Sequence, residues 1–223
     1  KHVIEQGTRN LINASIKNRI KKFVYLSTIH VYGNNLKKNV SEKTIPNPTN
    51  PYASTHYNAE KIIQEDFINT NIKYLILRLS NVVSPPLTKK SNCWKLVAHD
   101  LCKQSIVSQK IRLNTTGIQK RDFISIQILY EIINEFLLNN YNSELYNLAN
   151  GSNYSINEIA ALIQKLCNKN FGYSPNIITG NLKEDSNKYQ LDISKIKKKF
   201  RSFQQHPIED SLNELLKYCN KIF

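Results

Sequence analysis

Two short apolar runs, FVYLST at Phe23–Thr28 and YLILRL at Tyr74–Leu79, constrain this chain more than any other feature. Each has the length of one strand and is nearly continuously apolar, the pattern of a strand buried on both faces. Between them lies a helix-length stretch that begins near Tyr52 and runs to about Ile68. Another helical segment, Gly7 to Asn18, precedes the first run. Strands separated by helices cannot be joined as hairpins, so they predict an α/β chain with a parallel sheet and helices on both its faces. The Pro- and Asn-rich stretch from Asn34 to Pro51 reads as a loop entering the Tyr52 helix, and Asn81 with Pro85 and Pro86 stops the second strand. Beyond Pro86 the pattern changes to longer helices with short irregular connections, the last starting near Ile208 after Pro207.

Charge raises one alternative to a small-molecule site. The chain has 31 Lys and Arg against 17 Asp and Glu, a formal charge of +14, which would suit nucleic acid or an anionic membrane surface. The basic residues are dispersed, however, with one dense run, KIKKKFR at Lys195–Arg201, and no nucleic-acid motif accompanies them. Such a run is a solvated face, and a positive field also tolerates phosphate-bearing small molecules. No apolar stretch approaches the ~20 residues of a membrane span, so neither nucleic acid nor membrane is expected as a partner. Cys93, Cys102, Cys167 and Cys219 lack C-x-x-C pairing and zinc-like His spacing. They predict buried or inert thiols, no metal, and a reducing, cytoplasmic setting.

The residues able to carry chemistry fall in a few strings: VYLSTIHVYG at Val24–Gly33, NPYASTHYNAEKI at Asn50–Ile62, GIQKRDFISIQIL at Gly117–Leu129 and ELYNLANGSNYSINEIAALI at Glu144–Ile163, preceded by IEQGTRNLINAS at Ile4–Ser15. In this order they resemble the extended short-chain dehydrogenase/reductases, the NAD-dependent epimerase/dehydratase family of nucleotide-sugar enzymes. The resemblance covers nearly the whole chain. It implies a partial Rossmann-type, doubly wound parallel sheet with a smaller C-terminal substrate-binding α/β region. Residues 1–86 would form the C-terminal part of the NAD(P)-binding domain, and residues 87–223 mainly the substrate region, with some segments returning to the core. The family's glycine-rich turn, whose backbone holds the cofactor pyrophosphate, is not encoded in a sequence with 6 glycines and no such cluster. With its start at Lys1 and no methionine, the chain is expected to be a piece of a longer protein and inactive alone.

Residue roles follow from the same resemblance. Thr28 matches the Ser/Thr that steadies the reacting oxygen, and Tyr52 matches the tyrosine that passes the hydroxyl proton when hydride moves between a sugar carbon and a nicotinamide. His56 stands where the family keeps a lysine, whose cation favours the phenolate and grips the nicotinamide ribose. An imidazole, mostly neutral at pH 7 and shorter in reach, supplies only part of that, although it can hold a ribose hydroxyl. Thr28, Tyr52 and His56 are thus the catalytic candidates and Tyr52, His56 and Ser80 the cofactor-binding ones; His30, Asn81 and Arg121 are the substrate-binding candidates, the Arg121 guanidinium being suited to a diphosphate. Asp122 is expected to orient structure rather than react. Tyr57 and Lys61 also spell Y-x-x-x-K, but Pro51, Tyr52 and Glu60 keep the family spacing, so Tyr57 and Lys61 are expected on ordinary helix surface.

Departures narrow the chemistry. Sugar 4,6-dehydratases of the family carry an Asp-Glu pair after the Thr, whereas this chain has Ile29 and His30, leaving water elimination without its carboxylates. Ser125 and Gln127 replace a family His and Asp, and Val83-Ser84-Pro85 replaces Tyr-Gly-Pro. The expected activity is therefore an NAD(P)-dependent nucleotide-sugar epimerase or reductase in polysaccharide or glycoconjugate precursor synthesis, with NAD or NADP as cofactor and a homodimer as assembly. The alternative is a non-catalytic protein of the same fold that binds a nucleotide or sugar nucleotide.

Overall fold

The computed structural model describes residues 2–34, 36, 38–182 and 189–223. In chain order the elements are α1 (His2–Lys17), β1 (Lys22–Thr28), a 3-10 turn (Ile29–Tyr32), β2 (Lys38–Val40), α2 (Pro51–Asp66) and β3 (Lys73–Leu79). After these come β4 (Asn81–Val83), α3 (Val97–Val107), β5 (Lys110–Arg112), β6 (Lys120–Ser125), α4 (Ile126–Leu138) and β7 (Glu144–Leu148). The chain ends with β8 (Asn153–Ser155), α5 (Ile156–Phe171), β9 (Asn176–Ile178), β10 (Tyr189–Leu191), α6 (Ser194–Lys199) and α7 (Ile208–Ile222). They form two compact units. The first comprises residues Lys1–Ser80, Leu129–Gly151 and Tyr189–Gln204; the second comprises Asn81–Ile128, Ser152–Lys188 and Gln205–Phe223.

The first unit is built on a parallel sheet in the order β1-β3-β7, with Lys22–Thr28 in register with Lys73–Leu79. Successive strand side chains point to opposite faces, and Leu75, Ile76 and Leu77 are all buried, so the central strand is covered on both sides. Ile76 faces a cluster made by Ile12 of α1, Ile62 and Ile63 of α2, and Phe67 just after that helix. The Lys22 ammonium donates to the carbonyls of Phe136 (2.9 Å), Leu137 (2.7 Å) and Asn139 (2.8 Å), closing the C-terminal end of α4 with a cation where the helix dipole favours one. Both strands and the Tyr52 helix follow the sequence reading, and α1 starts earlier, at His2.

One part of the sequence reading is corrected. The stretch read as loop contains a strand, β2, paired in parallel with β10. At three residues it is too short and polar for its pattern to register, and its partner lies far away in sequence. Asn147 fixes this pair: its Nδ2 donates to the carbonyls of Val40 (3.2 Å) and Asp192 (3.4 Å), while its backbone N–H donates to Glu42 (2.8 Å).

In the second unit, β4, β6 and β8 form one small sheet, and β5 pairs with β9. Their apolar faces meet α3, α5 and α7 around Phe123, Leu101, Ile163 and Leu212. Helix α5 carries a reciprocal capping box between Ser155 and Glu158 and ends at Gly172 in the left-handed region. Cys102, Cys167 and Cys219 are buried in this core and Cys93 is half-buried, all as free thiols. No helix among the described residues is long and apolar enough to cross a membrane.

His99 of α3 makes this core sensitive to acid. The ring is buried, its Nε2–H donates to the Ser84 carbonyl (2.9 Å), and its Nδ1 has no hydrogen-bond partner among the described residues. Burial holds its pKa below the ordinary histidine value, against the Ser84 bond, which favours the cation. The unfolded chain therefore binds the extra proton first, and stability present above about pH 6.5 is lost as pH falls through the depressed folded value. Thermal unfolding followed from pH 7.5 to 5 should show this slope, and His99→Gln should flatten it; an identical slope in the variant would assign acid sensitivity elsewhere.

Candidate active site

Three elements of the first unit gather the titratable groups. Helix α2 starts at Pro51 behind Asn50, whose side chain accepts the Ala53 N–H (2.9 Å), a strong start signal that fixes where the first turn lies. From that start, Tyr52, His56 and Glu60 follow at intervals of four and share one helix face. Strand β1 presents Tyr25 and Ser27 to that face, and Arg78 of β3 stands in register beside Ser27.

The innermost member is an ion pair. Arg78 Nε lies 3.0 Å from Glu60 Oε1 and its Nη2 2.6 Å from Oε2, a fork-to-fork arrangement, with Glu60 1% and Arg78 4% exposed. The Ser27 hydroxyl donates to the same carboxylate. The guanidinium lies over the Tyr32 ring (4.7 Å), and the Tyr32 hydroxyl donates to Asn147 Oδ1 (2.6 Å). Arg78 Nη1 is buried without a hydrogen-bond partner among the described residues. Helix α2, strands β1 and β3, the 3-10 turn and β7 are thereby tied at one point.

Nearer the helix start, His56 is half-buried. Its Nδ1 lies 2.9 Å from the Tyr25 hydroxyl, and the Tyr52 ring meets the imidazole edge to face at 4.5 Å. Burial lowers the His56 pKa, with the Glu60 carboxylate opposing, so the ring is neutral at pH 7. Tyr25 is raised above the ordinary phenol value, first by burial and then by Glu60 and Tyr52, and is a neutral phenol. Tyr52 is 53% exposed, and its hydroxyl has no hydrogen-bond partner among the described residues.

The other expected site residues are placed as follows. Thr28 is buried at the end of β1, where its side chain caps the 3-10 turn by accepting the His30 N–H (3.3 Å). A hydroxyl used this way keeps its own proton available to donate. Ile29 is buried and His30 is exposed. Ser80 is buried, its N–H donating to Leu148 (3.0 Å). In the second unit, Asn81 donates through Nδ2 to the Asp122 carbonyl (2.7 Å), and Asp122 accepts the Ser152 N–H (3.1 Å). Arg121, half-buried on β6, has no hydrogen bond or ion pair to its guanidinium among the described residues. Thr28, Tyr52, His56 and Ser80 belong to the first unit, Asn81 and Arg121 to the second. Tyr57, half-buried, is covered by the Lys61 ammonium at 4.9 Å, so that pair is engaged with itself.

Sequence reasoning missed Tyr25, Ser27 and Arg78. The available signal was Arg78 itself, a cation interrupting the apolar run of a central strand, where an unpaired charge is prohibitively costly. Glu60 was visible only as a spacing marker.

The NAD dependent epimerase/dehydratase family model matches residues 2–149. A dTDP-D-glucose 4,6-dehydratase of Bos taurus is 31% identical over 154 residues, spanning 69% of this chain and 42% of that protein. An uncharacterized UDP-glucose epimerase of Bacillus subtilis is 26% identical over 98% of this chain and 66% of its own length. Among solved structures, a UDP-glucuronic acid 4-epimerase from Bacillus cereus in complex with UDP-glucuronic acid and NAD has 25% identity and a TM-score of 0.80, over 97% of this chain and 67% of that one. A UDP-glucose 4-epimerase, at 20% identity, shares the fold with a TM-score of 0.87 over 99% of this chain and 71% of the other. The chain matches about two fifths of the length of the first of these relatives. By a match across most of its residues, the chain belongs to the NAD dependent epimerase/dehydratase family.

Proposed function

We propose that the protein containing this chain is an NAD(P)-dependent nucleotide-sugar epimerase or reductase. The observation that carries this reading is Tyr52, an exposed phenol whose hydroxyl has no hydrogen-bond partner among the described residues, held on the same helix face as His56. A free hydroxyl fits a proton-transfer role, and a neutral imidazole fits a ribose hydroxyl as hydrogen-bond donor. When bound, the nicotinamide supplies hydride transfer. The protein's part is then positional and protic: Tyr52 takes or returns the hydroxyl proton, Thr28 donates to the reacting oxygen, and His56 and Ser80 hold the cofactor.

In the second unit, Arg121 is proposed to hold the nucleotide diphosphate. A half-buried guanidinium with no hydrogen bond or ion pair among the described residues is poised for a bidentate oxygen ligand. Asn81, with one side of its amide spent on Asp122, keeps its carbonyl oxygen for a sugar hydroxyl. His30, exposed beside Thr28, is a further contact to substrate. The apolar, buried Ile29 supports epimerisation or reduction over dehydration, because no acid-base pair follows Thr28. A homodimer, a cytoplasmic location and a role in polysaccharide or glycoconjugate precursor synthesis belong to the same reading.

The test is turnover of nucleotide sugars by the full-length protein, followed by NAD(P)H absorbance and product chromatography, with His56→Lys alongside. The variant should lose roughly tenfold in rate, since the half-buried slot between Tyr25 and Tyr52 is shaped for a neutral ring. A gain in rate would mark His56 as damage to a lysine site. Silence of wild type and variant alike would mark a binding protein.

A further inference from the structure

The proposed site leaves unexplained how an imidazole is made to serve where the motif has a cation, and the residue that bears on this is Tyr25. Tyr25 sits on β1, and its hydroxyl lies 2.9 Å from His56 Nδ1. Among the described residues that nitrogen is its hydrogen-bond partner. Of the two groups, one must donate. Were Nδ1–H the donor, the phenolic O–H would be left without an acceptor in a half-buried position, a costly arrangement. With the phenol donating, both groups are satisfied, and the ring's proton must reside on Nε2.

Neighbouring charges agree with this assignment. Glu60, one turn further along α2, is the nearest group able to draw a proton onto His56, but its oxygens are committed to Arg78 and Ser27. On the other side the Tyr52 ring meets the imidazole, 4.5 Å between centroids. Burial also keeps the Tyr25 phenol protonated and the His56 ring neutral.

We infer that Tyr25 is a positioning residue that fixes His56 as its Nε2–H tautomer, making the histidine a neutral, single-donor ligand in place of a three-donor ammonium. The inference rests on placing His56 in the cofactor site, and it adds a consequence: the chain keeps the ribose-holding half of the lysine's work and forgoes the cationic half.

The experiment is long-range proton–nitrogen correlation NMR of the full-length protein labelled on its histidine nitrogens. The sequence here contains five histidines, and loss of signals in His56→Asn identifies the relevant ring. At pH 7 the wild type should show Nδ1 unprotonated and Nε2 protonated. Tyr25→Phe, which keeps the ring and removes the hydroxyl, should shift the Nδ1 resonance and raise the cofactor KM roughly 3- to 10-fold, the factor expected of one lost hydrogen bond, with kcat within about twofold. A wild-type Nδ1–H tautomer would overturn the inference even if the variant failed to fold. Ring nitrogens indifferent to Tyr25→Phe would overturn it as well, as would an unchanged cofactor KM. The expected tautomer in a protein that binds no nicotinamide cofactor would instead overturn the functional reading and leave the Tyr25–His56 pair standing.

Discussion

Arg78→Leu should cost the fold about 3–5 kcal/mol, the range for removing one partner of a buried ion pair. The reason is the carboxylate left behind. Glu60 is almost wholly enclosed, and without Arg78 it keeps only the Ser27 hydroxyl as a neutral donor. The companion Glu60→Leu/Arg78→Leu double variant separates charge from packing, because a buried pair replaced by apolar side chains of similar volume is often close to neutral. Denaturant unfolding of the full-length protein supplies both numbers, read from midpoints at constant slope. A single-variant loss below about 1 kcal/mol would mean that water reaches the pair and that it does not bolt α2 to the sheet.

The second large effect concerns rate rather than stability. Tyr52→Phe should reduce turnover by about 10²- to 10⁴-fold, the span attributed to a positioned general acid or base. Stability should stay within about 0.5 kcal/mol of wild type, because Tyr52 is half exposed and the lost hydroxyl bonds to nothing among the described residues. The phenyl ring still meets His56 edge to face, so the neighbouring imidazole keeps its packing. This separation of activity from stability is the signature to look for. Undiminished turnover in a folded variant would remove Tyr52 from the chemistry.

The two experiments probe layers of the chain that differed in how readily they could be read from sequence. Strands β1 and β3 were legible because a strand buried on both faces must be apolar throughout, and α2 because Asn50 and Pro51 announce its start. Tyr52, Thr28 and Arg121 could be singled out because their motifs are local strings. The Glu60–Arg78 pair is not a string: its members sit on a helix and a strand 18 residues apart, and only the packing of α2 on the sheet makes them one unit. Tyr25 was hidden for another reason. Within an apolar run a tyrosine counts as one more buried aromatic, and whether its hydroxyl meets a partner depends on the opposing helix face. The strand β2 escaped because three residues carry too little pattern, and what defines it is its distant partner.

That distant pairing bears on how the chain comes to be folded during its own synthesis. The first unit is completed by β10, whose residues 189–191 join residues 38–40, and by the α6 segment, both of which emerge after most of the second unit's chain and before its α7. Even the buried Asn147 must wait for Asp192 before its side-chain amide is fully bonded. The early strands can pair as they leave the ribosome, but the unit they belong to stays open until about residue 204 has been made. A ribosome stalled just before residue 189 should therefore carry a nascent chain whose first unit is still protease-sensitive around β2, although most of its sheet has already been translated.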